Sequence, residues 1–332
     1  MSGSRTVAVL GPIPHDHITT HRGETFEKYG CVIYTVAALS ALLGPKDRVC
    51  PIVHVRRTDE EPIKRLLEPF PNVDVTGIRS ASDRGDLVEL RYVDQNKRIE
   101  RQTGFMAPIL PEDVEFVLDA DAFVCVPITD YQVSQATLAF IKQHSNGVIL
   151  LDAHGPTIAL TRGGARFHRL WIDRDSWLPN VDILKMNVEE AGCSWFPPQG
   201  ASDERTIGDP LPASEMPRFA EHCLRHGVQA MCVTLDEQGC VVYFRDSTGE
   251  MQEHVVGRVP VDEVVDTTGC GDSFAAGMAF GFLEYHDFVA ACRYGNAMGA
   301  QRCAGSQLRI YLPLSETNRQ IRRAYGDVIP HV

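Results

Sequence analysis

The sequence predicts a layered α/β fold built on a mostly parallel sheet, and two observations carry that reading. Short runs recur that are apolar throughout: 6–10, 49–55, 122–128, 148–151, 181–186 and 230–235. Strands buried on both faces of a parallel sheet have that character. Most of these runs end at turn-forming or polar residues such as Gly11, Asp152, Asn187 and Asp236, and helical patterns alternate with them, as at 133–144 and 188–191. Such alternation is the mark of helices laid on a sheet.

Two segments break the pattern. Residues 87–93 alternate as Leu-Val-Glu-Leu-Arg-Tyr-Val, 98–103 are polar and extended, and Asp94-Gln95-Asn96-Lys97 between them reads as a turn. This half-exposed hairpin should project from the main sheet, and on pattern alone it serves equally well as a lid or as a surface embellishment. Residues 197–212, rich in Pro, Gly, Ser and Asp, read as a surface loop too short to link domains.

Bulk properties narrow the partners. The 332 residues are 44% hydrophobic and 23% charged, with no internal repeat, so one large α/β domain over 1–332 is expected. A net charge of −12 argues against nucleic acid, because no net positive field would gather phosphate backbones. No apolar run approaches the ~18–20 residues of a membrane span, and the N-terminal apolar stretch is too short for a signal peptide. The ten cysteines form no C-x-x-C pair and sit mostly in apolar runs, as reduced thiols of a cytoplasmic protein would.

The chemistry concentrates at Asp266-Thr-Thr-Gly-Cys-Gly-Asp272-Ser-Phe274, where a turn passes into a helix rich in Ala and Gly. Gly269, Cys270 and Gly271 should then lie at a helix N-terminus, whose unpaired amides and positive dipole end cradle a phosphate. A carboxylate beside that cradle would repel a bound anion if binding were its only task. It suits a base that takes a proton from an attacking hydroxyl. An isolated Gly-x-Gly-Asp reads better as a capped turn; the whole string is far more specific.

That string resembles the D-T-x-G-x-G-D signature of the PfkB family, the ribokinase-like sugar kinases. The resemblance implies a ribokinase-like three-layer sandwich with a small β-lid contributed by about 12–30 and 85–106. It implies an ATP-dependent phosphotransferase in which Asp272 is the base and the amides of Gly269, Cys270 and Gly271 form the anion hole; Asp266 matches the first motif position, and its default reading is a structural residue of the turn. Asn187-Val-Glu-Glu190 resembles the family's N-x-x-E element, which implies that Asn187 and Glu190 organise the nucleotide phosphates and Mg²⁺, Glu190 through water. Alone, the segment would be a strand-ending Asn and a first-turn Glu. Val233 to Gly239 resembles V-T-L-G-x-x-G, which implies nucleotide contacts at Thr234 and Gly239, with a departure at Asp236 where Gly is usual. Asn296 falls near the adenine position, and an ordinary helical Asn explains it equally well.

At the other end, Asp16 resembles the carboxylate that grips sugar hydroxyls, for which it can accept two hydrogen bonds. Residues 29–38 resemble the G-G-x-x-x-N-x-A element, which implies that Gly30, Cys31 and Thr35 face the substrate. Cys31 and Thr35 replace the usual Gly and Asn, which leaves the acceptor more open than the reaction type. The hairpin falls at the lid position, with Arg98 or Arg101 directed at the substrate. The implied ligands are ATP, Mg²⁺, a monovalent cation and a sugar, inositol or nucleoside. A homodimer through the lids is also expected, on the strength of exposed apolar residues such as Leu87 and Leu90.

Two rival readings are kept. His15-Asp16-His17 resembles a two-ligand metal site, which His21, His54 or His154 would complete in a hydrolase built on an eight-stranded barrel. A non-catalytic nucleotide-binding homologue would tolerate Cys31, Thr35 and Asp236, but would gain nothing from Asp272. No G-x-x-x-x-G-K-[ST] string occurs, which excludes a P-loop kinase.

Overall fold

The computed structural model describes residues 4–93, 98–196 and 205–327. The turn expected at Asp94–Lys97 and the first half of the loop expected at 197–212 lie outside these.

The apolar runs become the strands of one nine-stranded sheet. Its members are β1 (Thr6–Leu10), β4 (Arg48–His54), β5 (Ile78–Arg79), β8 (Ala122–Cys125), β9 (Val148–Asp152), β12 (Ile183–Asn187), β13 (Ala230–Thr234), β14 (Cys240–Arg245) and β15 (Met251–Val256). The order is β15-β14-β13-β12-β9-β8-β1-β4-β5. Pairing is parallel from β13 through β5, and β14 and β15 add an antiparallel edge. The sheet is open, so the eight-stranded barrel that the hydrolase reading needs is absent.

A second sheet of four strands has the order β3-β2-β6-β7. It is built from β2 (His15–Thr19), β3 (Thr25–Tyr29), β6 (Leu87–Tyr92) and β7 (Arg98–Gly104). Period-2 alternation puts Val88 and Leu90 of β6 on one face with Ile18 of β2, where all three are buried. Leu90 is therefore not the exposed residue expected; Phe26 and Ile99 are the exposed hydrophobics of this sheet. A short hairpin, β10 (Ile158–Leu160) with β11 (Arg166–His168), lies against β7 through the bond from Gln102 N–H to Gly164 O (2.8 Å).

Ten helices are described: α1 (Val32–Leu42), α2 (Arg57–Leu67), α3 (Pro111–Val114), α4 (Gln135–His144), α5 (Arg174–Trp177), α6 (Val188–Ser194), α7 (Met216–Arg225), α8 (Cys270–Tyr285), α9 (Phe288–Cys303) and α10 (Leu314–Tyr325). Helices α1 and α8 pack on the middle of the main sheet, and α9 joins α8 to β14. Helix α8 is buried from Ser273 to Phe282 without a polar stripe, which its small residues permit. A Cβ on Gly277 would stand 2.3 Å from the Tyr294 carbonyl oxygen of α9. Each fully buried Val, Leu or Ile of the core contributes roughly 1.5–3 kcal/mol. No helix among the described residues is long and apolar enough to cross a membrane.

Candidate active site

The carboxyl ends of β9, β12 and β13 and the N-terminus of α8 converge on one cavity of about 940 Å³. In open parallel sheets, ligands bind beyond the strand ends, where the strand order reverses. Here the reversal falls between β1 and β8. Cys31 marks it: its Sγ lies 3.1 Å from the Val126 carbonyl just beyond β8 and 3.6 Å from Asp272 Oδ1.

Gly269 caps α8 with φ +84, a left-handed conformation that favours glycine. A Cβ there would sit 2.3 Å from the Tyr34 ring. Tyr34 is in turn covered by the Arg302 guanidinium (4.5 Å), which donates to Asp266 Oδ2 (2.8 Å). Asp266 thus braces the turn, as expected of a structural residue. The amides differ from expectation. Cys270 N–H is spent on Thr267 O (3.2 Å), and its side chain turns to Cys303, with 3.0 Å between sulfurs. The first-turn amides without an acceptor among the described backbone bonds are those of Gly271 and Asp272.

Asp272 is half-buried and lines the cavity. Burial first, and the charge of Asp152 second, push its carboxyl up to about 6 against the pull of Lys185 and His154. Thr35 is fully buried and donates to the Asp272 carbonyl (3.2 Å). Cys31 and Thr35 therefore meet the aspartate itself. Neither they nor Asp16 and Gly30 are among the residues lining this cavity. Asp16 is buried on β2, and its Oδ2 would be 2.9 Å from a Cβ on Gly30.

Asn187 and Glu190 form a reciprocal cap on α6. Asn187 Oδ1 accepts from Glu190 N–H (2.7 Å), and Glu190 Oε2 accepts from Asn187 N–H (2.8 Å). The other carboxylate oxygen, Oε1, accepts from His154 Nδ1 (2.7 Å). Burial works to raise the Glu190 carboxyl, but the His154 hydrogen bond leads the interactions that hold it below its ordinary value. Thr234 Oγ1 reaches Met186 O (3.4 Å), and Gly239 lines the same wall. Asn296 borders the cavity as well, yet its amide donates to Val256 O (3.1 Å), Gly257 O (3.0 Å) and Tyr325 Oη (3.1 Å). Its donors are engaged by the protein.

Three groups at the centre escaped the sequence reading. Lys185 Nζ bonds Asp152 Oδ2 (2.7 Å), and both side chains are only 6% exposed. Burial would lower the ammonium's pKa; Asp152 and then Glu190 outweigh it and push it up, so the lysine stays charged. The ammonium stands 3.1 Å from where a Gly271 Cβ would be, beside the free amides. A lysine inside the run Ile183-Leu-Lys-Met186 was the available signal, since a charge there demands a partner. The third group is Arg166 of β11, which donates to Ile128 O (2.8 Å), lies 3.1 Å from His154 Nε2 and pairs with Glu100 of β7 (3.5 Å). It links the small sheet to the cavity. Arg101 instead bonds Gly163 O (2.8 Å) on an exposed face, and the Arg98 side chain lies outside the described residues.

The family model described as pfkB family carbohydrate kinase matches residues 170–313. The chain is 34% identical over 195 residues to an uncharacterised sugar kinase of Archaeoglobus fulgidus, covering 51% of this chain and 76% of that one. It is 32% identical over 132 residues to the 2-dehydro-3-deoxygluconokinase of Bacillus subtilis, a match covering 40% of this chain and only 36% of the relative. The structure of Arabidopsis thaliana ribokinase complexed with ribose and ATP superposes with a TM-score of 0.72, at 15% identity, over 97% of this chain and 99% of that one; this likeness establishes the fold. The chain belongs to the pfkB family of carbohydrate kinases.

Proposed function

We propose that the protein moves the γ-phosphoryl group of ATP to a hydroxyl of a sugar or sugar-like molecule, with Asp272 as general base. One observation carries the reading: a half-buried carboxylate raised to about 6 lies in the same helical turn as two unspent amides, on the wall of a large cavity. The hydroxyl oxygen attacks the γ-phosphorus, the bond from that phosphorus to the β,γ-bridging oxygen breaks, ADP leaves, and the hydroxyl proton passes to Asp272. In this reading the amides of Gly271 and Asp272 and the Lys185 ammonium stabilise the negative charge of the transferring group. Val259, Val261 and Ala300 supply an apolar wall for the base of a nucleotide.

Magnesium fits this wall. The cavity lining sets five carboxylates, those of Asp152, Glu190, Asp236, Glu237 and Asp272, against Lys185 and Arg258, and the surplus negative charge suits a hydrated cation. Both Glu190 oxygens already accept hydrogen bonds, so it would hold Mg²⁺ through water. When bound with ATP, the ion neutralises phosphate charge.

The four-stranded sheet serves as the lid in this reading, with Asp16 holding substrate hydroxyls and Arg166 relaying lid position to His154. A nucleoside acceptor remains the alternative within the same chemistry. Screening sugars, inositols and nucleosides for acceptor-dependent ADP release tests the proposal: at least one class should give turnover. Silence across the panel would favour a non-catalytic nucleotide binder. A homodimer through Phe26 and Ile99, 49% and 57% exposed, is tested by mass in solution, and a monomer would count against it.

A further inference from the structure

His15 and His17 are not absorbed by the kinase chemistry, yet the fold gathers them. Being two apart on β2, they share one face, while Asp16 between them is buried on the other. Glu27 on β3 stands in register with His17. His15 Nε2 lies 3.0 Å from Glu27 Oε2, and His17 Nδ1 lies 3.0 Å from Glu27 Oε1. One ligand atom from each residue falls within a group whose members are all within 4.8 Å of one another. Zinc bonds of about 2.0–2.2 Å at tetrahedral angles place neighbouring ligand atoms about 3.3 Å apart, so little movement is needed. We propose that His15, His17 and Glu27 form a three-ligand site for a borderline divalent cation of the Zn²⁺ type, with its fourth position open to solvent.

The surroundings have the form such a site requires. Metal-bound imidazoles commonly give their second ring N–H to a carboxylate. His15 Nδ1 lies 3.1 Å from Asp59 Oδ1 of α2, and Asp59 is itself fixed by Tyr29 Oη (3.2 Å) and by Arg56 (2.7 and 3.0 Å). Arg56 Nη2 also approaches His15 Nδ1 (3.1 Å), on the side of the ring away from Glu27, and its charge is matched by Asp59. His15 and Glu27 border a second cavity, of about 690 Å³, and His17 is 44% exposed in its side chain, so an ion has a route in. Two other clusters are weaker. Cys232, Cys240 and Cys292 are sealed in the core. In the cluster of Asp175, His222 and His226, Asp175 already accepts from Arg174 (3.1 Å). An ion at His15, His17 and Glu27 would tie β2 to β3 on the face opposite Asp16.

Equilibrium dialysis of the 332-residue chain against Zn²⁺, read by elemental analysis, tests the site. The expected result is one ion bound per chain, weakened at least tenfold in H17A and in E27Q and about tenfold in D59N, the loss typical of an outer-shell partner. Binding in H222A should stay within twofold of the parent. Zinc should also raise the thermal midpoint of the parent and raise that of H17A less at the same zinc concentration, because only a bound ion favours the folded state. E27Q keeps the size and polarity of an exposed residue, so it reports on the site even if H17A folds poorly. Parent-like zinc binding in E27Q, no stoichiometric binding by the parent, or loss of binding in H222A would each overturn the proposal.

Discussion

Replacing Asp272 by Asn should make the protein more stable and nearly inactive at once. Burial and the Asp152 charge raise this carboxyl from its ordinary 3.8 to about 6. A tenfold change in proton affinity is worth about 1.4 kcal/mol, so holding the group ionised costs the folded state about 3 kcal/mol at most. Partial solvent access reduces that to about 1–3 kcal/mol. The folded protein binds the proton more tightly than the unfolded chain. The cost is therefore absent well below pH 4, grows between about pH 4 and 6, and is complete above 6. Denaturant unfolding of parent and D272N at pH 8 and pH 4.5 measures it. The variant should be the more stable at pH 8, with the difference shrinking at the lower pH. Turnover should fall by about 10²–10⁴, the usual worth of a general base, while nucleotide binding persists. A D272N protein that is less stable at pH 8, or that turns over at the parental rate, would refute the reasoning.

Other outcomes follow from the same geometry. The parental kcat/KM, measured against pH, should fall as pH drops through about 6, because only the ionised Asp272 accepts a proton. K185M leaves Asp152 buried without its partner and should lose about 3–5 kcal/mol of stability by denaturant unfolding; adding D152N should restore most of it. G269A forces a left-handed backbone onto alanine, which costs roughly 1–2 kcal/mol, and drives a methyl into Tyr34, so thermal unfolding should show a larger loss than strain alone. Asp236 has φ +49 on the cavity wall; D236G should relieve left-handed strain worth on the order of 1 kcal/mol and tighten nucleotide binding, read by calorimetry.

Much of the fold was legible in the sequence because its strands are continuous apolar runs. Run 6–10 became β1 without change, and 148–151 and 230–235 fell within one residue of β9 and β13. The expected run at 122–128 was too long: β8 ends at Cys125, and although Val126 N–H still donates to Leu10 O of β1, its carbonyl faces Cys31. The antiparallel β14–β15 edge was not read, although 240–244 is itself an apolar run; its partner β15 is more polar and exposed and carries no such signal. At the site, Asp272 and the Asn187–Glu190 cap could be placed from local spacing. The Lys185–Asp152 pair joins residues 33 apart on neighbouring strands, which spacing cannot reveal. Geometry explains why glycine is the usual residue at the positions of Cys31 and Asp236: both have positive φ, +53 and +49, where glycine would be unstrained. Cys31 accepts that strain and brings its sulfur to Asp272.

The most direct test of phosphoryl transfer follows the phosphorus itself. Protein incubated with ATP labelled at the γ-phosphate and an acceptor found by the ADP screen should yield labelled, phosphorylated acceptor, and D272N should yield almost none. Label released only as inorganic phosphate, or transferred equally well by D272N, would contradict the assignment of Asp272 as the base of a kinase.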